Sequence, residues 1–206
     1  MFYLLKEWCT MIVSVKQNEM NIVEKTFNLT SVFAGIKSEH NWTTNEIKVV
    51  LIILEDISRN AIYLKDFDES DYQDIVDEAI KKVPISYSIS TNYLKDITGI
   101  KRANFSREIN KIRKNLSTKS MHLPNPLKPM CRDSGVSRAW FTEIDYLKNR
   151  GTITFEINKK ILIHLIAFAK YSKVSFAHIT KLKNSHSIHT YLTFKILKDS
   201  AYRREL

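Results

Sequence analysis

Residues 44–58 constrain this 206-residue chain more than any other stretch. They read Thr-Asn-Glu-Ile-Lys-Val-Val-Leu-Ile-Ile-Leu-Glu-Asp-Ile-Ser, and Ile47, Val49, Val50, Leu51, Ile52, Ile53, Leu54 and Ile57 place apolar side chains on nearly every side of a helix. Such a helix belongs in the middle of a core, so the rest of the chain must be wrapped around it. Its start is also marked. Thr43-Thr44-Asn45-Glu46 forms a capping box, in which the Thr43 hydroxyl accepts from the Glu46 N–H and the Glu46 carboxylate accepts from the Thr43 N–H.

A second stretch, Ser90 to Leu116, predicts two helices joined by a tight turn. Ser90 or Thr91 caps the first helix, Tyr93, Leu94 and Ile97 supply its apolar face, and Gly99 ends it in a left-handed conformation. In the second helix Phe105, Ile109, Ile112 and Leu116 recur at helical spacing, and we read them as core. Arg107, Asn110, Lys111 and Lys114 fall on the opposite side, with Ser106 and Arg113 at the flank. From Lys101 to Lys119 seven basic residues (Lys101, Arg102, Arg107, Lys111, Arg113, Lys114 and Lys119) face one acid, Glu108. An apolar inner face with a cationic outer face suits a helix-turn-helix in a DNA groove, although a solvated lysine-rich helix shows the same pattern.

Charge narrows the partners. The formal net charge is +10 and the sequence pI is about 9.5. That favours a polyanion, because each phosphate neutralised by Lys or Arg releases condensed counterions. By itself it does not separate DNA from RNA or an anionic membrane. Cys9 and Cys131 have neither metal-ligand spacing nor a disulfide framework, which makes a reducing cytoplasm the default compartment. Met1 to Val15 is apolar but too short to span a bilayer and lacks a signal-peptide pattern. We read residues 1–24 as a peripheral segment, with Met11 and Met20 as alternative starts.

Along the remainder, residues 21–37 suggest a short strand or an entry segment. Residues 66–78 carry Asp66, Asp68, Glu69, Asp71, Asp74, Asp77 and Glu78 without the ligand spacing of a calcium loop, and read as a solvated acidic loop and helix start. Residues 84–89 and 120–123 read as strands, and 123–136, with three of the four prolines, as a loop. Residues 140–146 and 152–157 alternate around a Lys148-to-Gly151 turn, which predicts a β-hairpin with Lys148 and Arg150 at its tip. Asn158 caps an expected helix over 159–168, and two more are expected at 174–182 and 186–198. The predicted fold is α+β: a winged helix-turn-helix with a β-hairpin wing and additional flanking helices. The hairpin could also offer an edge strand to a second copy.

The order and wording of these segments resemble the N-terminal winged-helix domain of the Rep initiators of iteron-containing bacterial plasmids. The residues that carry the likeness are Thr44-Asn-Glu-Ile-Lys-Val-Val-Leu51, Tyr93-Leu-Lys-Asp-Ile97, Ile112-Arg-Lys-Asn-Leu116, Trp140-Phe-Thr-Glu-Ile-Asp-Tyr146, Gly151-Thr-Ile-Thr-Phe-Glu-Ile157, Lys170-Tyr-Ser-Lys173 and Leu182-Lys-Asn-Ser-His-Ser-Ile-His-Thr-Tyr191. In the last, His186 stands where the family usually has Tyr. The resemblance implies two winged-helix domains, the first dimerising and touching the DNA backbone, the second making the main base contacts. The expected organisation is a winged-helix DNA-binding and dimerisation domain over 25–200 and a tail over 201–206, with the second domain absent.

The resulting expectation is a DNA-binding initiator of plasmid replication. It would act in the cytoplasm on double-stranded DNA at origin repeats or an operator, as a homodimer with host replication proteins as possible partners. A winged-helix repressor of its own gene is the neighbouring alternative. Expected DNA contacts are Lys101, Arg102, Arg107, Asn110, Lys111, Arg113, Lys114, Lys119, Lys148 and Arg150, with Asn110 and Arg113 able to reach base edges. No catalytic residue, cofactor or metal is expected. His40, His122, His164, His178, His186 and His189 lack the paired spacing of a metal-dependent nickase, and no Gly-rich phosphate loop occurs.

Overall fold

The structure, a computed structural model, describes residues 13–14, 26–30, 42–60, 62–63, 71–124, 135–168 and 171–202. In chain order its elements are β1 (Val13–Ser14), β2 (Thr26–Thr30), α1 (Thr44–Ile57), β3 (Ile62–Tyr63), α2 (Tyr72–Lys82), β4 (Ser86–Ser90), α3 (Thr91–Thr98), α4 (Phe105–Thr118), β5 (Ser120–Pro124), β6 (Gly135–Ala139), β7 (Phe141–Leu147), β8 (Thr152–Ile157), α5 (Leu162–Ile166), β9 (Ala167–Phe168), β10 (Tyr171–Ser175), α6 (Phe176–Lys181) and α7 (Ser185–Tyr202).

Helix α1 is the centre. Residues 46–54 and Ile57 are all buried, and the helix packs against β2, α3, α4, α5 and α7. Removing eight Ile, Leu and Val side chains from water stabilises the fold by about 1.5–3 kcal/mol each, which explains why so many elements converge here. The capping box forms as the sequence predicts: Glu46 N–H donates to Thr43 Oγ1 at 3.3 Å and Thr43 N–H to Glu46 Oε2 at 2.9 Å.

One layer away lies a four-stranded sheet in the order β1-β4-β8-β7, with β1 parallel to β4 and the other neighbours antiparallel. Tyr87 pairs with Phe155 and Ile89 with Ile153, so the inner faces of β4 and β8 align. Ile144 on β7 joins them opposite Phe155, and all of these side chains are buried. The sequence α1, β4, α3, α4, β7, β8 is that of a winged helix, with α2 inserted before β4 and the antiparallel β5–β6 pair inserted after α4.

Two expected helices are shorter than the sequence suggests. Over 159–168 the backbone makes a 3-10 turn at Lys159–Ile161 and the single helix α5, after which Ala167–Phe168 pair in parallel with β3. Asn158 does cap this turn, accepting from Lys160 N–H at 3.1 Å. Over 174–182, Val174 and Ser175 belong to β10, which pairs with β2, and the helix begins at Phe176. In both places pairing with a distant strand overrides local helical spacing.

The N-terminus of α1 also holds a buried ion pair. Glu46 and Lys119 are 1% and 5% exposed, and the Lys119 ammonium donates to the Glu46 carboxylate. Asn115, in the last turn of α4, donates to the same carboxylate at 2.7 Å. The ammonium lies 4.5 Å from the centre of the Trp42 ring, and Trp42 meets Trp140 edge to face at 6.0 Å. Trp140 N–H donates to the Lys119 carbonyl at 3.2 Å. Burial pushes the Glu46 carboxyl up, but hydrogen bonds from Lys119, Thr43 and Asn115 hold it below its ordinary value of 4.5.

Removing one partner of a buried pair leaves an uncompensated charge, so Lys119→Ala should destabilise the protein by about 3–5 kcal/mol in urea titrations. The double change Glu46→Gln/Lys119→Met should be clearly more stable than Lys119→Ala; equal loss would show that the pair is not coupled. Because the folded Glu46 value is depressed, its stabilisation is present above pH 4.5 and disappears as pH falls through the folded value. Between about pH 6 and about pH 3 the wild type should therefore lose more stability than Glu46→Gln.

Candidate nucleic-acid interface

Helices α3 and α4 meet through a turn that local chemistry dictates. Ser90 Oγ accepts from Tyr93 N–H at 3.2 Å and starts α3. Gly99 stops it at φ +72°, a conformation that costs a residue with a side chain about 1–2 kcal/mol. Phe105, Ile109, Ile112 and Leu116 face the core from α4, and Lys95 on α3 places its ammonium 4.9 Å from the centre of the Phe105 ring. The opposite face of α4 carries exposed Arg107, Asn110, Lys111 and Lys114, with exposed Arg113 at the flank.

The wing is tied to both helices. Thr91 N–H at the start of α3 donates to the Gly151 carbonyl at 2.8 Å. The Ser106 and Tyr146 hydroxyls lie 3.4 Å apart, linking α4 to β7. Between β7 and β8 the 3-10 turn Lys148–Arg150 closes at Gly151, whose φ of +62° suits glycine. Lys148 and Arg150 are exposed at this tip.

The structure therefore brings together Arg107, Asn110, Lys111 and Lys114 on one helix face with Arg113 exposed at its flank, Lys101 and Arg102 exposed just before α4, and Lys148 and Arg150 on the wing. Arg107 pairs with Glu108 at 3.3 Å in an exposed contact of the kind worth little. The remaining cations exposed on the turn, α4 and the wing have no ion-pair partner among the described residues. Asn110 donates one amide N–H to the Ser106 carbonyl at 2.9 Å, which still leaves its second N–H and its amide oxygen, the two groups that a bidentate contact with adenine uses.

A family model described as "Initiator Replication protein, WH1" matches residues 22–195. The chain belongs to this initiator family. Among solved structures the fold is similar to that in "Crystal structure of Pi initiator protein in complex with iteron DNA", with a TM-score of 0.58 and 10% identity. That match covers 84% of this chain and 64% of the Pi chain. No curated protein matches the chain. The sequence resemblance to Rep initiators and the winged-helix expectation thus agree with the family and with the observed fold.

For this initiator-family chain, Lys119 departs from the sequence reading. It is buried against Glu46 and Trp42 rather than exposed beside Lys114, because the backbone leaves α4 at this residue and turns its side chain inward. Sequence reasoning also passed over Lys48. It is 5% exposed, and its ammonium donates to the carbonyls of Ile97 at 3.2 Å and Thr180 at 3.0 Å. Burial pushes this amine below the usual lysine range. A lone lysine within an otherwise apolar helix was the available signal, since such a charge must find partners.

Among the described residues no group of three or more His, Cys, Asp or Glu is placed to hold a metal, and no helix is long and apolar enough to cross a membrane. A side chain at Gly99 would meet nothing within 4 Å, so its cost is purely conformational. Gly99→Ala should lower stability by about 1–2 kcal/mol in denaturant titrations, and Gly99→Asn by less, since Asn tolerates the left-handed region.

Proposed function

We propose that the chain binds double-stranded DNA at the repeated sites of a plasmid origin and serves the initiation of replication, without catalytic chemistry of its own. The observation that carries this reading is the exposed cationic face of α4, fixed to the wing through Ser106–Tyr146 and Thr91–Gly151, on a member of an initiator family. The similar Pi initiator is described in complex with iteron DNA, and the same class of ligand suits this surface.

In this reading α4 enters the major groove. Arg107, Lys111 and Lys114 meet phosphates, Asn110 and Arg113 approach base edges, and Lys148 and Arg150 follow the backbone from the wing. Phosphate contacts set register and salt dependence, and base contacts set selectivity. The protein would act as a homodimer, as the resemblance to Rep initiators implies, and in the cytoplasm, the compartment its cysteine usage favours, with host replication proteins as candidate partners.

The test is fluorescence anisotropy with duplexes from the DNA flanking the gene, at several salt concentrations. The wild type should bind selectively. Arg107→Ala/Lys111→Ala/Lys114→Ala should weaken binding to all duplexes and reduce the salt slope by about 0.9 for each phosphate no longer neutralised. Arg113→Ala should cost about 1–3 kcal/mol and relax selectivity at one base pair. A triple variant that binds as well as the wild type, with its circular dichroism unchanged, would remove α4 from the interface.

A further inference from the structure

A groove of about 590 Å³ opens at the C-terminal end of α3, lined by Thr44 and Asn45 of α1, Asp96 in the last turn of α3, Gly99 just beyond it, Lys181 at the end of α6 and Lys183 two residues further on. Its walls are fixed. The Thr44 hydroxyl donates to the Lys183 carbonyl at 3.3 Å, and the buried Lys48 ammonium ties Ile97 at the end of α3 to Thr180 at the end of α6. Lys181 and Lys183 are exposed and have no ion-pair partner among the described residues. Together with Lys48 they outnumber the one acid in the lining, Asp96.

Position decides what this groove meets. The wing is bonded to the N-terminal end of α3 through Thr91, whereas the groove lies at its C-terminal end, beyond Gly99. Eight residues of helix separate the two by roughly 12 Å, comparable with the width of a major groove. A duplex seated on α4 has one phosphate backbone on each side of that groove. The wing and the 181–183 segment thus stand at opposite ends of α3.

We propose that Lys181 and Lys183, held by Thr44 and Lys48, form a second DNA-backbone clamp that grips phosphates on the side of the helix-turn-helix away from the wing. This inference rests on the DNA-binding reading above. Thr44 and Asn45 supply neutral polar side chains at the groove wall, and the Asp96 carboxylate, which repels phosphate, is outnumbered there by the lysines. Lys48 acts as a positioning residue, since its ammonium is occupied by two carbonyls and holds the segment against the turn.

The test compares wild type, Lys181→Ala/Lys183→Ala, Lys181→Arg/Lys183→Arg and a control of equal charge change on α2, Lys81→Ala/Lys82→Ala. Each is titrated with the same duplex across salt concentrations, and folding is checked by circular dichroism. The alanine pair should bind about tenfold or more weakly at low salt and lower the log–log salt slope by up to about 1.8, at 0.9 per phosphate. Its preference between specific and unrelated duplexes should stay the same, because phosphate contacts weaken all sequences alike. The arginine pair and the α2 control should keep the wild-type slope.

If wild type binds and the Lys181/Lys183 alanine pair keeps the full slope, the clamp is overturned while the α4 interface stands. A slope lost equally in the α2 control also overturns it, because net charge alone would then account for the effect. Saturable binding of inorganic phosphate that leaves DNA affinity unchanged assigns the groove to a free anion and overturns the clamp. Absence of DNA binding by the wild type overturns the parent reading, and the clamp with it.

Discussion

The structure depends on one buried carboxylate. Glu46 completes the capping box of α1, accepts from Asn115 at the end of α4, and neutralises Lys119 where the chain leaves that helix. A charge this far from water is tolerated only with its partners in place, so the start of the central helix and the end of α4 must arrive together. Trp42 and Trp140 seal the pair, and Trp140 hands the chain to β7. Burial of α1 brings eight apolar side chains into the core. The ion pair specifies which end of α4 lies beside it.

From that anchor the interface follows as a rigid assembly. Helix α4 is held at its far end by Glu46 and near its start by Phe105, beneath the Lys95 ammonium. The wing is bonded to α3 through Gly151 and to α4 through Tyr146. A binding surface whose parts are already fixed spends less conformational entropy on association, and its phosphate contacts then act in register. Lys48 plays the matching part at the other end of α3, where two helix C-termini present carbonyls to one buried ammonium.

Much of this is legible in the residues alone. The capping box at Thr43, the Ser90 cap, the Gly99 stop, the α4 apolar spacing and the hairpin around Lys148 to Gly151 are all signals between residues a few positions apart, and all appear where the sequence places them. The exposed cations of α4 are legible for the same reason, since helical periodicity assigns a face to each residue. Lys119 is not, because it lies one residue past the helix, where that periodicity no longer applies. The stretches 167–168 and 174–175 read as helix in the sequence because their strand partners, β3 and β2, lie more than 100 residues away.

The sequence by itself therefore determined the elements, their caps, the buried character of α1 and the cationic face of α4, because each follows from spacing and from the conformational limits of single residues. Tertiary structure alone decided which charges stay in water. Whether a lysine faces DNA, as Lys111 and Lys114 can, or is consumed inside the fold, as Lys48 and Lys119 are, depends on which distant acceptor reaches it. Ile97, Thr180 and Glu46 are 49, 132 and 73 residues away from the amines they satisfy, and only folding brings them within bonding distance.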